Sequence, residues 1–600
     1  MKRNLHTKVI LKIASAGLLL LVGLMPVGCN DHPKEEDNTP PPTPAIHFAE
    51  NGQSRYVVVS AMGAEGYDMA DQFRGYFAAA TGITLEYKAD VLLPAAGDAC
   101  EIVIGSTDRD GLFDADVEGI VTDGYLLKVA GSRLLIYADD EEGYEKAFAA
   151  FFREAMGIED ITQLQAPADS AVSLPRDFVL RGEPTYRIEQ NKTRSGYSYR
   201  VEGGEIREDN RCTFKETLTY HFDTPIATTF NVYTLHYTCS AYLRGEITYI
   251  QSGVTHTEEF FLEPGEKATF RSFCDGAVKG KNGRTVSALT LTPLQKQTVR
   301  FTLSDFTVSS ESLPGEDVVY ISDGKYRLGV KLSWGGGVSY LEDLQDGDDS
   351  LTNLLNNHDT GRLIQQSYYG AQSAPYETAV YSGNVWAYNP VQGGDQYGNT
   401  SKLVDYTVSA DGREIWVKCQ PLDWAHKNSR TPSYMENTNS LKEGHVRVDN
   451  RFIDFSGYPH NLRQQEVPAF YTVSYFSDFV FYFGDSPWTG DTLTVKKDLP
   501  FWAGNSPDPY FRLRNDENWC AWVTSTGYAL GLYSPLANVL VAGRYLYNGS
   551  KSPANAATSY VAPLLTHQLE FCKPYTYSYY ITTGTVEEVR GRFETIRRGK

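Results

Sequence analysis

Val319-Tyr320-Ile321, Tyr326-Arg327-Leu328-Gly329-Val330 and Ser333-Trp334-Gly335-Gly336-Gly337-Val338 open the last and longest section of the chain, from 318 to 600. The first two runs are short and rich in β-branched and aromatic residues, and the third is broken by glycines. Similar runs recur to the C-terminus, so this section is expected to be a large β-sandwich. Directly after the opening the composition turns polar. Asn356-Asn357-His358-Asp359-Thr360-Gly361-Arg362 is followed by Gln365-Gln366-Ser367-Tyr368-Tyr369-Gly370, and then by Asn389-Pro390-Val391-Gln392-Gly393-Gly394-Asp395. A stretch that only had to pack would hold more Val, Ile and Leu. Amides, carboxylates, an Arg and flat rings are the groups that grip sugar hydroxyls and sugar faces.

The opening runs and the Asn/Asp/Gly/Arg stretch after them resemble the large β-sandwich of galactose-mutarotase-like proteins. Polysaccharide lyases and several glycosidases carry relatives of that fold, so the resemblance implies a carbohydrate context and places the active domain at 318–600. All eight Trp lie between Trp334 and Trp522, inside this section. Half of them are expected as core filler and half as rings that stack on sugars.

Toward the N-terminus, residues 180–312 alternate without helical spacing, as in Thr217-Leu218-Thr219-Tyr220-His221-Phe222 and Phe230-Asn231-Val232-Tyr233, and predict a smaller β-sandwich. Its last run, Phe301-Thr302-Leu303-Ser304-Asp305-Phe306, resembles the closing strand of jelly-roll carbohydrate-binding modules. Residues 46–170 alternate strand and helix signals. A β-branched run at Tyr56-Val57-Val58-Val59 precedes a helix from Asp68 to Gly82, with Met69, Phe73, Phe77 and Ala80 on one face. A strand at Ile102-Val103-Ile104, a hairpin through Gly131-Ser132 and a helix from Tyr144 to Met156 complete an α/β layer fold. The strand with Gly105 and Thr107, Gly124-Tyr125-Leu126-Leu127, and Gly143-Tyr144 are similar to the accessory α/β domain of family 20 glycoside hydrolases and α-glucuronidases. That domain is non-catalytic in those families. The fold class is therefore multidomain and mainly β: a small α/β domain, a jelly-roll-like β-sandwich, then a large galactose-mutarotase-like β-supersandwich.

Residues 1–29 read as an export signal, with Lys2, Arg3, Lys8 and Lys12 around an apolar run that ends in Met25-Pro26-Val27-Gly28-Cys29. The small residues before Cys29 resemble a bacterial lipobox, with Pro26 standing where Leu is usual, and imply lipidation of Cys29. Residues 30–45 form a tether, with Glu35-Glu36-Asp37 resembling the surface-export signal of Bacteroidota lipoproteins and a Pro/Thr spacer behind it. The expected location is the outer membrane, lipid-anchored and facing the cell exterior.

A formal charge of −20 excludes a nucleic-acid partner, whose phosphates demand clustered Lys and Arg. It leaves room for a polysaccharide or oligosaccharide partner, anionic ones included, since a local basic pocket can sit on an acidic protein. The other seven cysteines show neither a CxxC nor a zinc spacing. Cys212, Cys239 and Cys274 share one section, where one disulfide is allowed, and buried thiols are the commoner state. No cofactor is expected. Asp346, Asp348 and Asp349 read either as a structural calcium loop or as the commoner acidic turn.

The candidate catalytic residues are Glu436 and Glu466 as acid and base, with His358, Asp359 and His426. Candidate substrate-binding residues are Asn357, Arg362, Gln366, Tyr368, Tyr369, Trp386, Gln392, Asp395, Trp424, Arg451 and His460. Three functions compete. A glycoside hydrolase would use the two glutamates. A polysaccharide lyase would neutralise a uronate with Asn357 and Arg362 and take its proton with His358 or Tyr368. A glycan-binding protein would need only rings and hydrogen bonds.

Overall fold

The computed structural model describes residues 45–599, apart from 63, 94–98, 108, 110–116, 118–119, 121–122, 165–170, 184–188, 208, 277–281, 316, 346–350, 372–378, 382 and 503–510. Cys29 with the signal and tether expected around it, and the acidic residues Asp346, Asp348 and Asp349, lie outside the described residues. Ala45–Lys600 form one compact unit. Three sheet systems follow one another along it.

The first is a six-stranded sheet whose order is Glu86–Ala89, Val57–Ser60, Glu101–Ile104, Arg133–Ala138, Tyr125–Ala130, Val179–Gly182. The first four strands are parallel and the last two pair antiparallel. Helices α1 (Ala64–Thr81) and α2 (Glu141–Met156) pack together through Phe73, Phe77, Phe148, Phe151 and Phe152, none of them exposed. Helix α2 begins with Asp140 accepting from the Gly143 N–H and ends at Gly157 in the left-handed region, the start and stop its sequence calls for.

The second system is a sandwich of two five-stranded sheets. Val232–Cys239 and Leu243–Gln251 alternate buried and half-buried positions, as a strand with one wet face must. Cys212, Cys239 and Cys274 are buried thiols here, and all seven described cysteines are unpaired.

The third is the largest. Ten strands form one sheet: β1 (Val318–Ser322), β2 (Tyr326–Lys331), β3 (Gly337–Asp343), β4 (Ile364–Ser367), β5 (Pro390–Val391), β6 (Leu422–Asp423), β7 (Arg463–Val473), β8 (Phe511–Arg514), β9 (Val539–Tyr545) and β10 (Thr558–His567). Their order is β1-β2-β3-β4-β7-β10-β9-β8, and the sheet forks at β4, where β5 pairs Ser367 and β6 pairs β5. A nine-stranded sheet faces it across a core that includes Leu328, Ile364, Phe452, Phe470, Trp522 and Ile581. The expected architecture of a small α/β layer, a sandwich and a much larger sandwich is what the chain adopts.

One helix departs from expectation. Val586–Arg597 (α3) closes the chain where only strands were predicted. Thr585 and Glu588 form a capping box at its start, and Val589 and Phe593 bury against Trp519 and Tyr533. Thr585-x-x-Glu588 before apolar residues spaced by four was the available signal.

Polar contacts join the three systems. Asp71 accepts from the Ala410 N–H at 3.0 Å, and Arg74 lies 3.6 Å from Glu414. Ser106 donates to the Glu266 carbonyl at 2.7 Å, and Lys402 pairs with Glu258 at 2.6 Å.

Candidate functional site

Alternation along the ten strands divides their side chains into two faces. Leu328, Val330, Leu341, Ile364, Phe470 and Val561 enter the inter-sheet core. Arg327, Tyr340, Ser367, Tyr471 and Tyr560 therefore lie on the opposite, outer face. Glu466 joins them, because it stands opposite Ser367 on one side and Leu564 on the other, and Leu564 packs with Tyr560, Ala562 and Val541 in a separate outer cluster.

Glu466 is half-buried and is the centre of this face. The Tyr560 hydroxyl donates to its Oε1 at 2.5 Å. Burial pushes its carboxyl above the ordinary value, and the hydroxyls of Tyr560, Ser367 and Tyr369 pull part of the way back. A glutamic acid held this way keeps its proton nearer neutrality than an exposed one. Tyr471 packs tilted against Tyr560 with centroids 4.6 Å apart, and Tyr545 and then Trp502 continue the aromatic line to a ring that is 45% exposed.

A loop ridge borders the face. Arg362 donates to the Ala556 carbonyl at 2.9 Å, pairs with Asp359 at 3.4 Å and lies 4.7 Å over the Tyr547 ring. His358 meets the same ring edge-on at 4.3 Å, and Asn357 beside it is exposed. Gln365 ties the ridge to the sheet, donating to the Gly361 carbonyl and accepting from the Gly393 N–H, both at 2.8 Å. A Cβ on Gly361 would come within 2.6 Å of Trp424, so only glycine lets the loop lie on that ring. Trp424 and Trp386 are half-buried, and exposed Tyr381 lies 5.1 Å from Trp386 and 6.4 Å from Trp424. Of the eight Trp, three (Trp416, Trp519 and Trp522) are buried core.

Other expected site residues are placed elsewhere. Glu436 and Glu466 do not form a pair: Glu436 belongs to the nine-stranded sheet, on Ser433–Lys442, and Glu466 to the ten-stranded one. The Glu436 carboxylate is buried against Arg451 at 3.0 Å, Lys418 at 3.2 Å and the Trp416 indole N–H at 3.3 Å. Arg451 reaches on to Glu263 of the smaller sandwich at 2.8 Å, so it is a strut between sheets. Gln366 donates to the Glu436 carbonyl and accepts from Tyr368, whose ring is stacked on Phe452 in the core. Gln392 donates to Asn437 and Gly335. Asp395 accepts from the backbones of Tyr397, Asn399 and Asn428 and organises a turn. His460 is buried, accepts the Ala371 N–H and stacks on Tyr388. These amides, rings and charges were expected to face a ligand and instead satisfy buried backbone and one another, as burial requires.

Asp423 and His426 lie together on the β6 branch. Asp423 is fully buried, accepting the N–H groups of Asn389 and Ala425 at 3.2 Å each. Burial pushes its carboxyl up to about 6, with those N–H groups and His426 pulling the other way. Because the folded value lies above that of an exposed Asp near 4, the unfolded chain gives up this proton first as pH rises. The contribution to stability is present below about pH 4 and is lost as pH rises through about 6. Asp423→Asn is expected to flatten the denaturant midpoint across that window; an unchanged slope between pH 4 and 6 would count against the assignment.

No protein-family model matches this chain, and no curated protein does. Among solved structures, a galactose mutarotase-like protein from Lactobacillus casei is similar over 44% of this chain and 100% of its own, at 13% identity and a TM-score of 0.29. A family 36 α-galactosidase from Geobacillus stearothermophilus matches 46% of this chain and 41% of its own at 9% identity and a TM-score of 0.28. A 4-α-glucanotransferase from Thermococcus litoralis matches 45% and 38% at 11% identity and a TM-score of 0.27.

Proposed function

We propose that this protein degrades a polysaccharide held on the outer face of its ten-stranded sheet, with Glu466 as the proton-donating carboxyl. The observation that carries the reading is the Glu466 environment: a carboxyl raised by burial, half-open to solvent, ringed by three hydroxyls and approached along an aromatic wall. In a hydrolytic step the protonated carboxyl gives its proton to the leaving glycosidic oxygen as the C–O bond breaks. Water adds to the anomeric carbon, and the proton it releases restores the acid. The raised value of Glu466 supplies the protonated form that such a step needs.

Signal-like residues 1–29, with Cys29 as the lipidated position, support export and lipid anchoring at the cell surface. There the chain would meet polymers too large to enter the cell.

A second reading is glycan binding without cleavage, favoured by the ridge of Trp386, Tyr381 and Trp424 beside Arg362. Trp424→Ala is expected to weaken glycan retention about tenfold, the worth of one stacked ring. Affinity electrophoresis against a panel of plant, algal and host polysaccharides reads it, and an unshifted Kd removes the ridge from the site. Assay of the same panel for new reducing ends or unsaturated uronates separates hydrolysis, elimination and binding alone.

A further inference from the structure

We propose that the polymer this face accepts is anionic, a linear chain carrying carboxylates or sulfates, and that it lies across the strands with Arg327 as the anchor for its oxyanions. The proposal deepens the reading above and rests on the outer face holding a glycan.

Arg327 is exposed on β2, its guanidinium 4.2 Å from the Tyr320 centroid and 5.8 Å from that of Tyr340. The two tyrosines meet edge-to-face at 5.3 Å. Between them in register is Gly329, where a Cβ would stand 2.8 Å from the Tyr320 ring; glycine lets that ring lie against the sheet. Among the described residues, no carboxylate lies within ion-pair distance of Arg327 and its side chain donates no hydrogen bond. Glu342, opposite Arg327 in register, accepts instead from the Tyr340 hydroxyl at 2.6 Å, so a guanidinium set beside two rings with its N–H groups unengaged can meet a planar or tetrahedral oxyanion with two parallel hydrogen bonds. Arg362, by contrast, is already neutralised by Asp359.

The path follows from the strand register. Tyr320, Gly329 and Tyr340 stand opposite one another on β1, β2 and β3. Tyr471 on β7 donates its N–H to the Leu363 carbonyl, stands opposite Tyr560 on β10, and that residue stands opposite Gly543 on β9. The line crosses seven strands at about 4.8 Å each, roughly 29 Å from β1 to β9. That is a length for several sugars, with Arg327 toward one end and Glu466 touching the line through the Tyr560 hydroxyl. On a protein with formal charge −20, a polyanion needs such a local cation to be held at all.

The test uses the full chain in affinity electrophoresis against polygalacturonate, dextran sulfate and neutral dextran, comparing the parent with Arg327→Met, Arg327→Lys and Tyr340→Ala. Retardation by polygalacturonate, dextran sulfate or both is expected, weakening with added salt. Kd should rise at least tenfold in Arg327→Met and less in Arg327→Lys, with melting temperature unchanged. Which polymer retards the chain tells carboxylate from sulfate. Equal retardation of parent and Arg327→Met, binding to neutral dextran alone, or binding to none of the three would overturn the proposal. Cleavage is read separately: a polyanion that binds through Arg327 and is never cut would sink the degradative reading and leave this one standing.

Discussion

Glu466→Gln is expected to lower the rate of polysaccharide cleavage by about 10²- to 10⁴-fold, the usual contribution of a general acid. The amide keeps the shape of the side chain and can still accept the Tyr560 hydroxyl, so the outer face should keep its form. What is lost is the transferable proton. Glycan affinity should therefore survive while kcat falls. In the parent, activity should decline as pH rises through the Glu466 value, which burial sets above that of an exposed glutamate. That alkaline limb should vanish from whatever activity the variant retains. Single-turnover rates on a cleaved polymer, measured from acid to alkaline pH, check both points. A variant as fast as the parent would return Glu466 to a packing role and leave glycan binding as the function.

The second large effect concerns stability. Arg451→Ala is expected to cost about 3–5 kcal/mol, because the buried Glu436 loses one of its two cations and the half-buried Glu263 loses its guanidinium. Glu436 is 1% exposed and would keep Lys418 and the Trp416 indole N–H, while Glu263 would lose both of its contacts to the guanidinium. Burial opposes ionisation of Glu263, and Arg451 nonetheless holds it below its ordinary value in the intact protein. Removing the cation reverses that balance. Equilibrium denaturation of Arg451→Ala beside an Arg451→Met, Glu436→Gln double variant is the check. The double variant should recover part of the loss, since it removes one of the two carboxylates and leaves Lys418 to offset the other. A loss below about 1 kcal/mol in the single variant would show that the strut carries little of the fold.

Much of the architecture was legible. Periodicity separated the α/β layer from the two sandwiches, because helix and strand spacings differ. The C-terminal helix was missed, though Thr585 and Glu588 mark its start. The site was only partly legible, for a geometric reason. Adjacent residues in a strand face opposite ways, so Gln365 and Gln366 look alike in sequence while one braces the outer ridge and the other crosses to the nine-stranded sheet. Pairing of Glu436 with Glu466 required knowing which sheet each strand joins, and spacing along the chain does not encode that. Tyr560 and Tyr471 could not be picked out, since forty tyrosines offer no contrast. Tyr369, Arg362 and Trp424 were singled out because polar and aromatic residues crowd their loops, and each does border the outer face.

The contacts between the α/β layer and the later sheets also bear on the order in which the molecule takes shape. Asp71 and Ala410 are 339 residues apart, and Ser106 and Glu266 are 160 apart. At about 5–20 residues per second, the ribosome finishes Ala410 roughly 20–70 s after Asp71. Until then Asp71 and Arg74 have only each other and the Leu85 carbonyl of their own layer to bond. Those side chains act as a waiting half-joint, closed by a part of the chain made long after them.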